Sequence, residues 1–478
     1  MKDNEFDLIV IGAGSAGLGS ALGMLKMGMK VLMVDKFAEN IGGECLNTGC
    51  VPSKALIHIA KNIHHSKTVK KYGLQSSGTI SINEVMAEIQ EKKEIIREHE
   101  NVDFLREKGL QIILGTAKFL SKNSLEINGH EYYGKNIVIG TGSSPRIIDV
   151  KGLEHVKVYT NDNLFEMNDL PEHFLFVGGG PVSMEMGQAF SRLGSKVTIV
   201  EHGNRILKKE DKKISEVLQE RLESEGVVFH LNSELFKITS ESRAVLKING
   251  GKEMALPVDA IFMGLGRVLN FKNLNLEKAG VDLNEDGTIS LDSKLRTSNK
   301  HIFVSGDAAN NLMFSHAAEM HSKLLLHNFL SPLKKRLHTE HFSWVTFTDP
   351  EVGTFGYSEL ELKKNKVPYK RLELDFSEND RAIVDGFQYG KLILFIEKKN
   401  IFVGNSKILG GSMIAPNSGE IIQELILANT AGLGIGTVMN KIYAYPTASN
   451  VNKIILRRHM LTILRPWLKN LMKWYYRL

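Results

Sequence analysis

The sequence predicts an α/β protein in which one structural unit occurs twice and an α+β segment closes the chain. Three observations predict it. A β-branched run at 6–11 stops at Gly12-Ala13-Gly14-Ser15-Ala16-Gly17, a helical stretch runs to Lys30, and a second strand at 31–35 ends in Asp35. The pattern returns as a strand at 174–177, the turn Gly178-Gly179-Gly180-Pro181-Val182-Ser183, a helix to about Leu193 and a strand at 196–200 followed by Glu201. From about His341 the texture changes to antiparallel strands and amphipathic helices, around 344–354, 391–397 and 418–430, and no glycine motif recurs.

Strand, glycine turn, helix, strand and terminal acid together describe a Rossmann-like dinucleotide site. Amides at the helix start face a pyrophosphate, and the acid bonds a ribose hydroxyl. Two such units imply two nucleotides, a flavin and a nicotinamide. In the second unit Ser183 takes the third glycine position, a change small enough for helix–strand packing. The acid at 201 favours NAD over NADP, whose sites usually place an arginine nearby, and here Arg205 sits four residues on.

The totals agree with a soluble, cytoplasmic, multidomain protein. A chain of 478 residues predicts about three domains. The 42% apolar and 24% charged content is that of a globular chain, and no apolar run approaches the ~18 residues of a spanning helix. The start, Met1-Lys2-Asp3-Asn4-Glu5, is acidic and does not read as a secretory signal. Net charge is +6, but seven Lys/Arg and no acid lie in residues 453–478, which leaves 53 basic against 54 acidic residues elsewhere. That distribution argues against a general nucleic-acid binder and gives the tail a partner of its own. Two cysteines without a Cys/His cluster make no zinc site, and no metal site is expected.

Between the first unit and the second lies Gly42-Gly43-Glu44-Cys45-Leu46-Asn47-Thr48-Gly49-Cys50-Val51-Pro52-Ser53-Lys54, which holds both cysteines. The pair reads either as two buried free thiols or as a redox-active dithiol against the flavin. Positions i and i+5 of a straight helix lie roughly 8–9 Å apart at Cα, whereas a disulfide needs less than about 7 Å. A bridge therefore requires a bent first turn, which the glycines at 42, 43 and 49 permit. A helix N-terminus and Lys54, four residues after Cys50, would lower a thiol pKa. Exposed helices follow at 53–67 and 82–108, and their histidines 58, 64, 65 and 99 carry no ligand role. Strands follow at 111–119 and 124–127, and a buried strand at 137–139 breaks into Gly140-Thr141-Gly142-Ser143-Ser144-Pro145. Residues 227–265 alternate as strands and lead into Gly266-Arg267. Another strand stops at Gly306-Asp307, where an acid suits a hydroxyl contact. The resulting division is an FAD-binding domain from 1–147 and 269–340, an NAD-binding domain at 148–268, a dimerisation domain at 341–465 and a tail at 466–478.

The order of these features, from about Phe6 to Asn452, resembles the pyridine nucleotide–disulfide oxidoreductases, in the branch of dihydrolipoamide dehydrogenase and mercuric reductase. GGECLNTGCVPSK is the most specific element. The resemblance implies an active-site disulfide, with Cys50 next to the flavin and Cys45 exchanging with substrate. It implies that Lys54 lies near the flavin and pairs with Glu185. It implies FAD contacts at Gly12, Gly14, Gly17, Asp35, Gly115, Thr141, Gly142 and Asp307, and NAD contacts at Gly178, Gly180, Glu201 and Gly266. Thr348-Asp349-Pro350-Glu351, Gly410-Gly411 and Pro416-Asn417-Ser418-Gly419-Glu420 would belong to the domain that forms a homodimer. The implied path runs from NADH through FAD and the dithiol to a small-molecule or protein thiol/disulfide acceptor, reversibly.

One departure bears on the acceptor. Disulfide-reducing members carry His-Pro-Thr-x-x-Glu near the C-terminus, donated from the partner subunit, and the matching stretch here is Tyr445-Pro446-Thr447-Ala448-Ser449-Asn450. A tyrosine of pKa near 10 is ionised in about one part in a thousand at pH 7. It makes a poor base where a positioned base is worth about 10²–10⁴ in rate. Mercuric reductases resemble the tyrosine variation, yet they carry a C-terminal cysteine pair, and this chain ends Lys473-Trp474-Tyr475-Tyr476-Arg477-Leu478. The alternatives are a mercuric-reductase-like enzyme reducing a metal ion or a membrane quinone, and an inert FAD-binding interaction protein. In the tail, Pro466 is expected to break the preceding helix. Beyond it Trp467, Leu468, Leu471, Met472 and Tyr475 share one helix face, and Lys469, Asn470, Lys473 and Arg477 the other. This reads either as a peripheral contact with the inner membrane face or as a helix packed on the dimer domain.

Overall fold

Uninterrupted apolar strands need cover on both faces, and helices supply it in the first two units. The computed structural model describes residues 2–399, 405–463 and 466–477. Its first sheet has seven strands, with Glu5–Ile11 between Val31–Asp35 and His130–Ile139, all parallel, and Gln111–Leu114 outside Val31–Asp35. The long strand His130–Ile139 serves two neighbours. Its first half pairs antiparallel with Ser124–Ile127, and its last residues pair in parallel with Ile302–Val304. A strand from beyond the second unit therefore completes the sheet of the first.

The second sheet is parallel, in the order Val228–His230, Lys196–Val200, His173–Val177, Ala260–Met263, Lys157–Tyr159. Phe174, Phe176, Phe190 and Phe262 are buried together against it. An antiparallel meander, Ser233–Ile238, Arg243–Ile248 and Lys252–Pro257, lies beside it. The third sheet is antiparallel, in the order Ser343–Thr346, Glu351–Gly356, Ile408–Ala415, Lys391–Glu397, Tyr369–Asp375.

Several boundaries differ from the sequence expectation, each for a local reason. The helix after the first glycine turn is Ser15–Lys26, because Gly28 turns the chain with a positive φ. The stretch 82–108 is two helices, Ile82–Arg97 and Val102–Glu107, because the Asn101 side chain accepts the Phe104 N–H and caps a new start. The stretch 344–354 is two strands, and the residues between them turn onto the helix Pro181–Leu193. Phe347 N donates to Glu185 Oε1 (2.8 Å) and Asp349 N to Gln188 Oε1 (2.8 Å). Buried Arg192 joins the same two units, donating to Glu225 (2.7 Å) and Asp349 (3.0 Å).

The tail forms a helix, Pro466–Tyr476. Leu471, Met472, Trp474, Tyr475 and Tyr476 are exposed on it, Trp474 to 61%, so this helix does not bury them against its own chain. The expected break before Pro466 and the side chains of Trp467 and Leu468 lie outside the described residues. No described helix is long and apolar enough to cross a membrane.

Candidate redox site

The dithiol segment is built around a backbone contact that only glycine allows. Gly43 has φ +64°, and a Cβ there would strike Gly14 Cα. Gly42 N donates to Ala13 O at 3.0 Å. The cysteine segment is thus held flush against the first glycine turn. Gly12, with φ +104°, sits equally close to Gly140, and a Cβ at Gly17 would overlap Gly12 O.

The bend expected between the cysteines is a break between two helices. Gly43–Asn47 ends at Thr48, Gly49 has the non-helical φ −118° and ψ −110°, and Cys50 opens the helix Cys50–Thr68. The break sets the two free cysteines beside each other, Cys45 half-buried and Cys50 exposed, with Gly49 packed against the Cys45 backbone. The two thiols influence each other, so that Cys45 is pushed up and Cys50 is brought down to about 6. Burial opposes the drop at Cys50, while the Ser315 hydroxyl and the Lys54 ammonium assist it. Cys50 is therefore the thiolate of the reduced pair at neutral pH, and the thiolate is lost as pH falls through about 6.

Lys54 is held in place from three sides. Its Nζ lies 2.7 Å from Glu185 Oε2, 3.3 Å from Ser53 Oγ and 4.6 Å from the centre of the Phe347 ring. Glu185 is only 6% exposed and spends its second oxygen on Phe347 N.

The remaining sequence-derived residues gather around two cradles. In the first, Asp35 accepts Ala13 N (2.7 Å) and Lys36 N (2.7 Å), and its carbonyl accepts Gly115 N (2.7 Å). Asp307 accepts Ser143 Oγ (2.6 Å) beside Gly142, and Thr141 Oγ1 is buried without a partner. An orphaned hydroxyl, a glycine turn with no room for side chains, and an acid at the strand end fit FAD. In the second cradle, Glu201 accepts Gly179 N (2.6 Å) and Gly203 N (2.6 Å). It repeats what Asp35 does in the first. Burial works against its ionisation, but those amides and Lys208, 3.0 Å away, hold the carboxyl below its usual range. Gly178 has φ +109°, Gly180 precedes the helix Pro181–Leu193, and Gly266 O accepts Arg146 N at 2.9 Å. Arg205 is turned away, donating to the carbonyls of Glu210 (2.8 Å) and Lys208 (2.6 Å), so the cation beside Glu201 is Lys208.

Tyr445 is not drawn into the cysteine site within its own chain. It is 78% exposed and donates to Asp380 Oδ2 at 3.0 Å, a bond that pushes its hydroxyl pKa up. Two contributors escaped the sequence reading. Glu44, one residue before Cys45, is bonded to Arg267 and accepts Asn161 Nδ2 (2.9 Å). Burial raises it to about 7 against the pull of Arg267, with Asp307 adding to the rise. A charged residue in a stretch of small and polar ones was the available signal. Ser315, 265 residues from Cys50, gave none.

Comparison with known proteins places this geometry. The family described as pyridine nucleotide-disulphide oxidoreductase matches residues 6–322, and its dimerisation domain matches residues 342–454. The chain is similar to a mercuric reductase of Lysinibacillus sphaericus, 29% identical over 458 residues, covering 95% of this chain and 82% of that protein. It is similar to a dihydrolipoyl dehydrogenase of Bacillus subtilis, 29% identical over 450 residues, covering 92% and 96%. Among solved structures, the HOCl-induced flavoprotein disulfide reductase RclA from Escherichia coli superposes with a TM-score of 0.83 at 25% identity, covering 95% of this chain and 99% of that one.

Proposed function

Because the chain belongs to the pyridine nucleotide–disulphide oxidoreductase family, which uses FAD and NAD(P), we propose that it passes electrons from NADH to a thiol/disulfide acceptor through Cys45 and Cys50. The observation that carries this reading is the placement of both cysteines at a helix break on a segment pinned to the first glycine turn. FAD, when bound, supplies the carrier between the nicotinamide and sulfur. Gly12, Gly14, Gly17, Asp35, Gly115, Thr141, Gly142 and Asp307 would hold it, with Lys54 beside it. Gly178, Gly180, Glu201 and Gly266 would hold NAD, which the ionised Glu201 favours over a 2′-phosphate.

The cysteine chemistry is ordinary thiol–disulfide exchange. Cys45, as thiolate, attacks one sulfur of an acceptor disulfide and expels the other as a thiolate. Cys50 then attacks Cys45 of the mixed disulfide, releasing the second acceptor thiolate and leaving a Cys45–Cys50 bond. Two electrons leave the pair and two acceptor thiols form. Lys54, anchored by Glu185, stabilises the Cys50 thiolate until it attacks.

Cys45 gives up its proton reluctantly in this arrangement, and Tyr445 is a poor base to take it. That favours an acceptor that needs little base assistance over lipoamide. The mercuric-reductase-like reading, with a metal ion or a quinone as acceptor, rests on Tyr445 and Asn450, which stand where the His/Glu pair is expected. NADH oxidation across lipoamide, glutathione disulfide, Hg(II) and a quinone tests the proposal. Turnover of a disulfide or Hg(II) that disappears in Cys45→Ser supports it. NADH oxidation by quinone alone, at a rate unchanged in Cys45→Ser, overturns it.

The tail adds a localisation. Lys469, Lys473 and Arg477 follow at i,i+4 spacing, and Leu471, Met472, Trp474 and Tyr475 take the other side, in a segment beyond the matched dimerisation domain. We propose that this helix lies on an anionic membrane surface. The chain is expected to sediment with vesicles containing anionic lipid but not with neutral ones, and to lose that binding when residues 466–478 are removed. Equal sedimentation with and without the tail would contradict it.

A further inference from the structure

We propose that Ser315 is a positioning residue that fixes Cys50 as the thiolate of the pair through a hydrogen bond from its hydroxyl to the Cys50 sulfur. The inference rests on the dithiol reading above. The observed separation is 3.2 Å between Ser315 Oγ and Cys50 Sγ, and a sulfur that carries charge accepts such a bond strongly.

The backbone makes the contact more than a chance approach. Ser315 is the first residue of the helix Ser315–Leu330, and Cys50 is the first residue of the helix Cys50–Thr68. The N-termini of two long helices, the positive ends of their dipoles, converge on one sulfur. Neither helix has a side-chain cap. The Ser315 hydroxyl is therefore not spent on its own helix and remains available to the thiolate.

The charged and titratable groups around Cys50 are Cys45 on its own segment, Lys54 on its own helix and Glu185 on the helix Pro181–Leu193. Glu185 would oppose ionisation but is bonded to Lys54 and to Phe347 N. Glu100 acts on Cys45 rather than on Cys50. Ser315 is thus a neutral donor acting on Cys50 from outside the dithiol segment and its helix. Ser315 also eases ionisation of Cys45, but the hydrogen bond the structure shows goes to Cys50, and the hydroxyl takes no proton itself.

The test follows the long-wavelength absorbance of the thiolate beside bound FAD in the two-electron-reduced protein as a function of pH. In the natural protein that absorbance is expected to fade as pH falls through about 6. In Ser315→Ala the midpoint is expected to rise by about one pH unit, the worth of one hydrogen bond to a charged acceptor. Ser315→Thr, which keeps the hydroxyl, is expected to restore the midpoint. Should Ser315→Ala fail to fold or to retain FAD, the pH profile of Cys50 alkylation is compared between Cys45→Ser and Cys45→Ser/Ser315→Thr, and between Cys45→Ser and Cys45→Ser/Ser315→Gly. The threonine pair should coincide, and the glycine pair should separate by about one unit. An unchanged midpoint in Ser315→Ala, or coincident profiles in the glycine pair, overturns the role of Ser315 and leaves the dithiol reading intact. Absence of the long-wavelength band in the natural protein overturns both.

Discussion

Replacing Cys50 by alanine is expected to lower NADH-driven reduction of the acceptor by at least about 10³-fold, because it removes one of two groups that work as a unit. Cys45 then retains a thiol but has no partner to resolve a mixed disulfide, so each chain stalls after one exchange. The substitution removes little buried surface, since Cys50 is exposed at the start of its helix. FAD content and thermal stability should therefore remain near those of the natural protein. The comparison needs kcat with the preferred acceptor, the FAD-to-protein ratio and a melting curve. Loss of activity with loss of flavin would place Cys50 in the scaffold instead.

The second large effect is a gain. Tyr445→His combined with Asn450→Glu is expected to raise NADH-driven lipoamide reduction by about 10²–10⁴-fold, the usual worth of a positioned base. The reasoning is chemical. Cys45 keeps its proton because the neighbouring Cys50 and burial push its pKa up, and that proton must leave before Cys45 can attack. Tyr445, bonded to Asp380, is pushed further from ionisation at neutral pH. An imidazole titrates near 6.5 and an acid at 450 would orient it. Tyr445→His alone should recover only part of the gain. No increase in the double variant would mean that something other than the missing base limits this acceptor.

Much of this arrangement was readable from local pattern. Glycine turns, β-branched runs and terminal acids act over short spans, so both dinucleotide units could be placed from Gly12 to Asp35 and from Gly178 to Glu201. The structural repeat extends to atomic level, with Asp35 and Glu201 each closing its own turn through a backbone amide. The family match then covers residues 6–322 and 342–454. What sequence could not supply were contacts made across long separations. Ser315 reaches Cys50 and Arg267 reaches Glu44 because strands from distant parts of the chain complete shared sheets, and Phe347 reaches Glu185 because the third sheet's first turn folds onto the helix Pro181–Leu193. Arg205 shows the converse. Its position beside Glu201 in sequence suggested a neighbour of the acid, yet carbonyls at 208 and 210 take its guanidinium. Helix boundaries shifted where a single side chain decided them, as Asn101 did for the stretch 82–108.

The most direct test of the electron path is a stepwise anaerobic titration of the purified, FAD-loaded protein with NADH, scored for alkylatable thiols and long-wavelength absorbance. The account predicts that the first equivalent exposes two new thiols per chain, at Cys45 and Cys50, together with a thiolate band that is absent in Cys50→Ala. A first equivalent that bleaches the flavin while producing no thiols and no such band would contradict it.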